Sequence, residues 1–154
     1  MDSSLNPTIT PTADDGPAPA CEFAFGERVR IGPLIRVGPS KRGIRQLFPI
    51  EGGTIGGAIK GEVLPGGADW QLVRNDGVIE LDARYTIRTE DDVTIHVRNR
   101  GLVHGDDGKP YLRTSADFEA PADGPYAWLN RAVFVGDAVL RDAGTVDIRF
   151  FKVV

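Results

Sequence analysis

The sequence predicts an all-β fold, a single antiparallel up-and-down β-barrel of about eight to ten strands with a disordered N-terminal tail. Three observations predict it. From Phe23 onward, short segments rich in Val, Ile, Phe, Tyr and Thr are punctuated by Gly, Pro, Asn or Asp about every eight to twelve residues. No stretch sustains the helical spacing of apolar side chains. Consecutive segments joined by turns pair most simply as a meander, and closing the meander into a barrel removes its exposed edges.

Residues 1–21 read as a flexible, Pro-rich acidic tail, with Pro7, Pro11, Pro17 and Pro19 set among small polar residues and Asp2, Asp14 and Asp15. Too few large apolar groups are present there to offset the entropy of ordering. Residues 22–154 then form the barrel domain. Its expected strands are Phe23–Val37 with an interruption near Gly32 and Pro33, Ile44–Ile50, Thr54–Leu64, Asp69–Arg74, Val78–Thr89, Val93–Arg100, Tyr111–Phe118, Ala127–Leu140 and Thr145–Val153. The Gly52-Gly53 and Gly56-Gly57 pairs mark bulges or bends at a barrel corner, since neither a helix nor a Lys-Ser/Thr step follows to make a phosphate cradle.

Two hairpins fix which side chains share a face. A two-residue Asp76-Gly77 turn sets Leu72 opposite Leu81, Trp70 opposite Ala83 and Asp69 opposite Arg84. A three-residue loop, Glu90-Asp91-Asp92, sets Ile87 opposite Ile95, Tyr85 opposite Val97, Ala83 opposite Asn99 and Asp82 opposite Arg100. One face then carries Trp70, Leu72, Leu81, Ala83, Tyr85, Ile87, Ile95, Val97 and Asn99, and is expected inside. The other carries Asp69, Gln71, Asp82, Arg84, Thr86, His96, Arg98 and Arg100, a charge-compensated ladder expected outside.

The chain has 18 Lys plus Arg against 22 Asp plus Glu, a formal charge of −4, and the acidic tail accounts for most of the excess. A nearly neutral domain argues against nucleic acid and against a polybasic membrane surface as partners. No apolar run approaches the ~18–20 residues of a membrane helix. One cysteine, Cys21, and a start without a charged or apolar leader pattern fit a cytoplasmic, reduced setting. Cys21, His96 and His104 lack metal-ligand spacing, so no metal and no cofactor is expected. The charged ladder meeting its symmetry mate would give a homodimer.

The candidate chemistry is small-molecule chemistry. Tyr85, Asn99 and Asn130 are the candidate catalytic residues: a phenol can donate a proton or hydrogen bond, and a carboxamide can stabilise a developing oxyanion. Trp70, Trp128 and Phe134 are the candidate ligand-binding residues, an apolar lining around those polar groups. If the barrel were inside out, Asp69, Asp82, Arg84, Arg98 and Arg100 would form the site instead, with Glu62 near its rim. The alternative for that set is an outer salt-bridge lattice.

The segments GEVLPGGADW at 61–70, LDARYTIRT at 81–89, VRNRGL at 97–102 and YAWLNRAVFVG at 126–136 occur together. In them the chain resembles the domain of unknown function 3237 family, also catalogued as uncharacterised protein family UPF 0311, over Phe23 to Val153. The resemblance implies a small β-barrel similar to those of allene oxide cyclase and dirigent proteins, which guide cyclisation or coupling of small hydrophobic molecules. It supplies no catalytic set to carry over, and the loop Gly101–Pro110 is shorter than is usual in the family. The expected function is a small-molecule-binding barrel working as a cofactor-independent isomerase, cyclase or lyase on an apolar or aromatic substrate. A non-catalytic carrier using the same cavity is the alternative.

Overall fold

The computed structural model describes residues 10–106 and 108–154. Ten strands make one antiparallel sheet: β1 (Cys21–Ile31), β2 (Ile35–Ser40), β3 (Gly43–Gly57), β4 (Gly61–Val63), β5 (Ala68–Val73), β6 (Ile79–Thr89), β7 (Thr94–His104), β8 (Tyr111–Glu119), β9 (Phe134–Asp142) and β10 (Thr145–Val153). Strand β1 pairs with β10 along one edge and with β3 along the other. The ladder runs on through β9, β8, β7 and β6, and returns to β3 through the short strands β4 and β5. The ring of ladders therefore closes, as the expected barrel requires. Of the expected tail, residues 1–9 lie outside the described residues. Residues 10–20 are exposed, with one 3-10 turn at Ala13–Asp15 capped by Thr12.

The chain departs from a simple meander at Gly32 and Pro33. There it leaves β1, crosses, and lays β2 against the first half of β3, on the side opposite β5. Strand β3 thereby serves two sets of neighbours: residues 44–49 lie between β2 and β5, and residues 50–57 between β1 and β4. The switch occurs at a bulge around Glu51, next to the glycines expected to mark a corner. At Gly53, φ is +158° and a Cβ would lie 2.2 Å from the carbonyl oxygen of Arg28, so only glycine permits the two backbones to close there.

The expected strand Ala127–Leu140 is divided. Ala127–Arg131 is a 3-10 turn, and β9 starts only at Phe134. The turn closes one end of the barrel with Leu129 pointing into the core, a contact that an extended strand would not make. Beneath it Phe118 packs between Phe134 at 5.0 Å, Phe150 at 5.2 Å and Phe25 at 5.4 Å, centroid to centroid. Ile55, Ile59, Val63, Ile87, Ile95 and Val97 complete this packed half. Each such fully buried side chain contributes about 1.5–3 kcal/mol. The opposite half of the barrel is hollow.

Candidate functional site

The β6–β7 register is the expected one: Ile87 faces Ile95, Tyr85 faces Val97, Ala83 faces Asn99 and Asp82 faces Arg100. The β5–β6 register differs from expectation by one residue, with Asp69 opposite Ala83, Ala68 opposite Arg84 and Leu72 opposite Glu80. Its cause is the turn. Arg74 N–H donates to the carbonyl of Val78 at 2.9 Å and Gly77 N–H to that of Arg74 at 3.1 Å, so the loop is the three residues Asn75-Asp76-Gly77, with Gly77 at φ +87°. That is a type I turn followed by a left-handed bulge residue, which uses Asp-Gly as readily as the two-residue turn does.

One residue of slip reverses every side chain of β5. Trp70, expected inside, lies outside at 45% exposure, while Leu72, on the same face of β5, stays buried but leaves the cavity lining. Asp69 and Gln71, expected outside, turn inward. They join Tyr85, Asn99 and Thr114 as the polar groups of a cavity of about 300 Å³. The rest of its lining is apolar, including Val29, Ile31, Phe48, Ile50, Leu81, Val103, Leu112, Leu140 and Ile148.

Four polar side chains at this site have defined surroundings. The Tyr85 hydroxyl donates to both carboxyl oxygens of Glu27, at 2.8 and 3.1 Å. Glu27 is 3% exposed and stands in the inward row Phe25, Glu27, Val29 of β1. Burial pushes its carboxyl up to about 8, against the opposing pull of the Tyr85 hydroxyl. Burial, followed by the neighbouring Glu27 charge, lifts Tyr85 well above the usual phenol value. Asp69 accepts from the Gln71 amide at 2.8 Å and from the Asp82 backbone N–H at 3.1 Å, and Gln46 donates to Gln71 at 2.9 Å. Burial raises the Asp69 carboxyl while those two donors hold it down.

Asn99 and Thr114 are 5% and 6% exposed, and Asn99 Oδ1 and Thr114 Oγ1 have no hydrogen-bond partner among the described residues. Buried polar atoms are nearly always paired, so these two bring unspent hydrogen-bonding capacity to the cavity wall. Chemically, the floor combines a desolvated carboxyl, a phenol held by a second carboxyl, and free amide and hydroxyl groups. Such a set can take a proton from one atom of a bound molecule and return it to another.

The other candidates are placed elsewhere. Asn130 is exposed, and its carboxamide donates to and accepts from the backbone of Ala120, both at 2.9 Å, tying the 3-10 turn to the end of β8. Trp128 packs on Phe134 at 6.0 Å in the closed half, and neither lines the cavity. Asp82 takes a two-pronged contact from Arg98 at 3.1 Å and lies 3.8 Å from Arg84. Arg100 is exposed, and Glu62 lies 3.8 Å from Arg88 on the outer surface. Of the inside-out set, only Asp69 reaches the cavity.

Sequence reasoning did not single out Glu27 or Thr114. The signal for Glu27 is a lone acid in an alternating apolar row, Phe23, Phe25, Glu27, Val29, Ile31. Thr114 similarly interrupts Leu112, Ala116 and Phe118.

Among the described residues, no group of three His, Cys, Asp or Glu side chains is arranged to hold a metal ion, and no helix is long and apolar enough to cross a membrane. Residues 19–153 match the family described as Protein of unknown function (DUF3237). A UPF0311 protein of Bradyrhizobium diazoefficiens is 34% identical over 95% of this chain and 100% of its own length. Among solved structures, a conserved protein of unknown function from Rhodopseudomonas palustris is similar at TM-score 0.83 and 35% identity, covering 90% of this chain and 100% of its own. A β-barrel-like protein from Acinetobacter baumannii is similar at TM-score 0.81 and 30% identity, covering 91% and 99%. An enzyme from Penicillium herquei shares the fold at TM-score 0.71 and 24% identity, covering 90% and 98%.

Proposed function

From a chain that belongs to the DUF3237 family of proteins of unknown function, we propose a small-molecule barrel that performs cofactor-independent acid–base chemistry. Its substrate is a small apolar or aromatic compound bearing an oxygen function, and its reactions are of the isomerase, cyclase or lyase kind. The observation that carries this reading is the pairing, in one apolar cavity, of Asp69 with the Tyr85–Glu27 hydrogen bond.

In this reading Asp69 is the base. Burial raises its carboxyl above the ordinary aspartate value, which makes its carboxylate a stronger base than an exposed one. Tyr85 is the acid or hydrogen-bond donor to the oxygen that gains charge: Glu27, protonated below about pH 8, donates to the phenol oxygen in turn and so releases the single phenol proton from the carboxyl towards the substrate. Asn99 and Thr114 orient that oxygen. The apolar walls strengthen each of these interactions by excluding water.

The test is a screen of enones, epoxides and hydroxy compounds against the wild type, Asp69→Asn and Tyr85→Phe. The expected result is turnover by the wild type that falls by about 10²–10⁴ in either variant while binding persists. The carrier reading has one observation in its favour: both Asp69 oxygens already accept protein N–H groups. Binding by all three proteins without turnover in any would establish it instead.

A further inference from the structure

The cavity also carries information about the charge of its occupant. Among the described residues no Lys, Arg or His lines it, and its floor holds Asp69 with Glu27 directly behind Tyr85. Arg36, opposite Gln46 on β2, is exposed and outside the lining. A carboxylate or phosphate reaching the floor would lose its hydration and meet no cationic partner among the lining residues.

A cation gains less here than beside a bare carboxylate, because every carboxyl oxygen already faces a protein donor and has only its remaining lone pair to offer. Asp69 accepts from Gln71 and from the Asp82 N–H, and Glu27 accepts from Tyr85. An ammonium carries three donors and a large hydration cost, and it repays burial only where several acceptors are free around it.

What remains without any partner is neutral: among the described residues, Asn99 Oδ1 and Thr114 Oγ1 are the buried side-chain atoms that make no hydrogen bond. They belong to diagonal positions on the inner faces of β7 and β8, since Asn99 pairs with Ala116 and Thr114 with Gly101. Diagonal neighbours stand ~7–8 Å apart at the backbone, close enough for one guest group to reach both side chains. Gly136 on β9 leaves the space the threonine hydroxyl occupies, since a Cβ there would lie 2.6 Å from Oγ1. A hydroxyl group matches this pair, because it donates one hydrogen bond and accepts another without bringing charge.

We propose that the cavity is selective for a neutral hydroxylated ligand, such as a phenol, an enol or an alcohol on an apolar frame, with the hydroxyl seated between Asn99 and Thr114. This rests on the reading of the cavity as a ligand site, and deepens it by naming the ligand class. Carboxylic acids and amines of the same frame are excluded from the floor.

The test uses four probes of one shape, naphthalene, 2-naphthol, 2-naphthoate and 2-naphthylmethylammonium, titrated calorimetrically into the wild type and Thr114→Val near neutral pH. Valine keeps the shape of threonine and removes an unpaired buried hydroxyl, so the variant folds at least as well. The expected result is that naphthol binds about tenfold or more tighter than either ion. In Thr114→Val naphthol weakens by about three- to tenfold while naphthalene is unchanged. Naphthoate or the ammonium equalling naphthol would overturn the proposal, as would naphthol binding unaltered by Thr114→Val. If not even naphthalene binds, the cavity reading itself fails. If naphthalene binds and naphthol gains nothing over the ions, only the charge selectivity fails.

Discussion

Glu27 is a carboxyl placed where a carboxylate is costly, and its pH behaviour follows from that. Its folded value of about 8 lies above its ordinary value of 4.5, so the folded chain binds the proton more tightly than the unfolded chain does. The stability this contributes is complete below about pH 4.5 and is lost as the pH rises through about 8. Asp69, also raised, acts in the same direction. The Asp147 carboxyl, held down to about 2 by Arg28 and Arg141, acts the opposite way and only in acid. Thermal unfolding should therefore show a Tm that falls from about pH 5.5 to pH 9. Glu27→Gln, which keeps a partner for the Tyr85 hydroxyl but cannot ionise, should flatten that fall and unfold above the wild type at about pH 9. A variant whose Tm tracks the wild type across the range would show that Glu27 does not titrate in the folded barrel.

Among the elements, the β5–β6 hairpin decides what the site contains, because its turn length sets which residues of β5 face inward. Gly77 adopts a left-handed conformation that costs a residue with a Cβ roughly 1–2 kcal/mol. Gly77→Ala should lower the unfolding free energy by that amount, read as a lower denaturation midpoint with the m-value unchanged. An unchanged midpoint would contradict the three-residue turn. The neighbouring hairpin shows why one register was legible and the other was not. Between β6 and β7 a wrong loop length would have set Arg88 against Ile95, so patterning alone excluded it. Between β5 and β6 both registers pair plausibly: one sets Leu72 against Leu81 and Asp69 against Arg84, the other Val73 against Ile79 and Ala68 against Arg84. The choice lies in turn chemistry that Asn75-Asp76-Gly77 satisfies either way. The 3-10 turn at Ala127–Arg131 was hidden for another reason. Trp128 and Phe134 read as alternating strand residues, and only the need to close the barrel end separates them.

Across the whole molecule, the sequence pattern carried the closed β architecture, the outward Arg ladder and the inward Tyr85 and Asn99. It did not carry the division into a packed half and a hollow half, which depends on where four phenylalanines distant in sequence meet. That division predicts unequal costs. Phe118→Ala should destabilise by about 3–5 kcal/mol, whereas Trp70→Ala, on the outer surface, should stay within about 1 kcal/mol of the wild type in the same denaturant titration. Comparable costs for the two would mean that Trp70 is a core residue and that β5 faces the other way. The most direct test of the site is a crystal structure of the chain with 2-naphthol bound. The account predicts the ring system in the hollow half among Phe48, Leu81 and Ile148, with its oxygen at hydrogen-bonding distance from Asn99 or Thr114 and facing Asp69 and Tyr85. A naphthol bound against Trp70 or Trp128, with the hollow half closed by side chains, would contradict it.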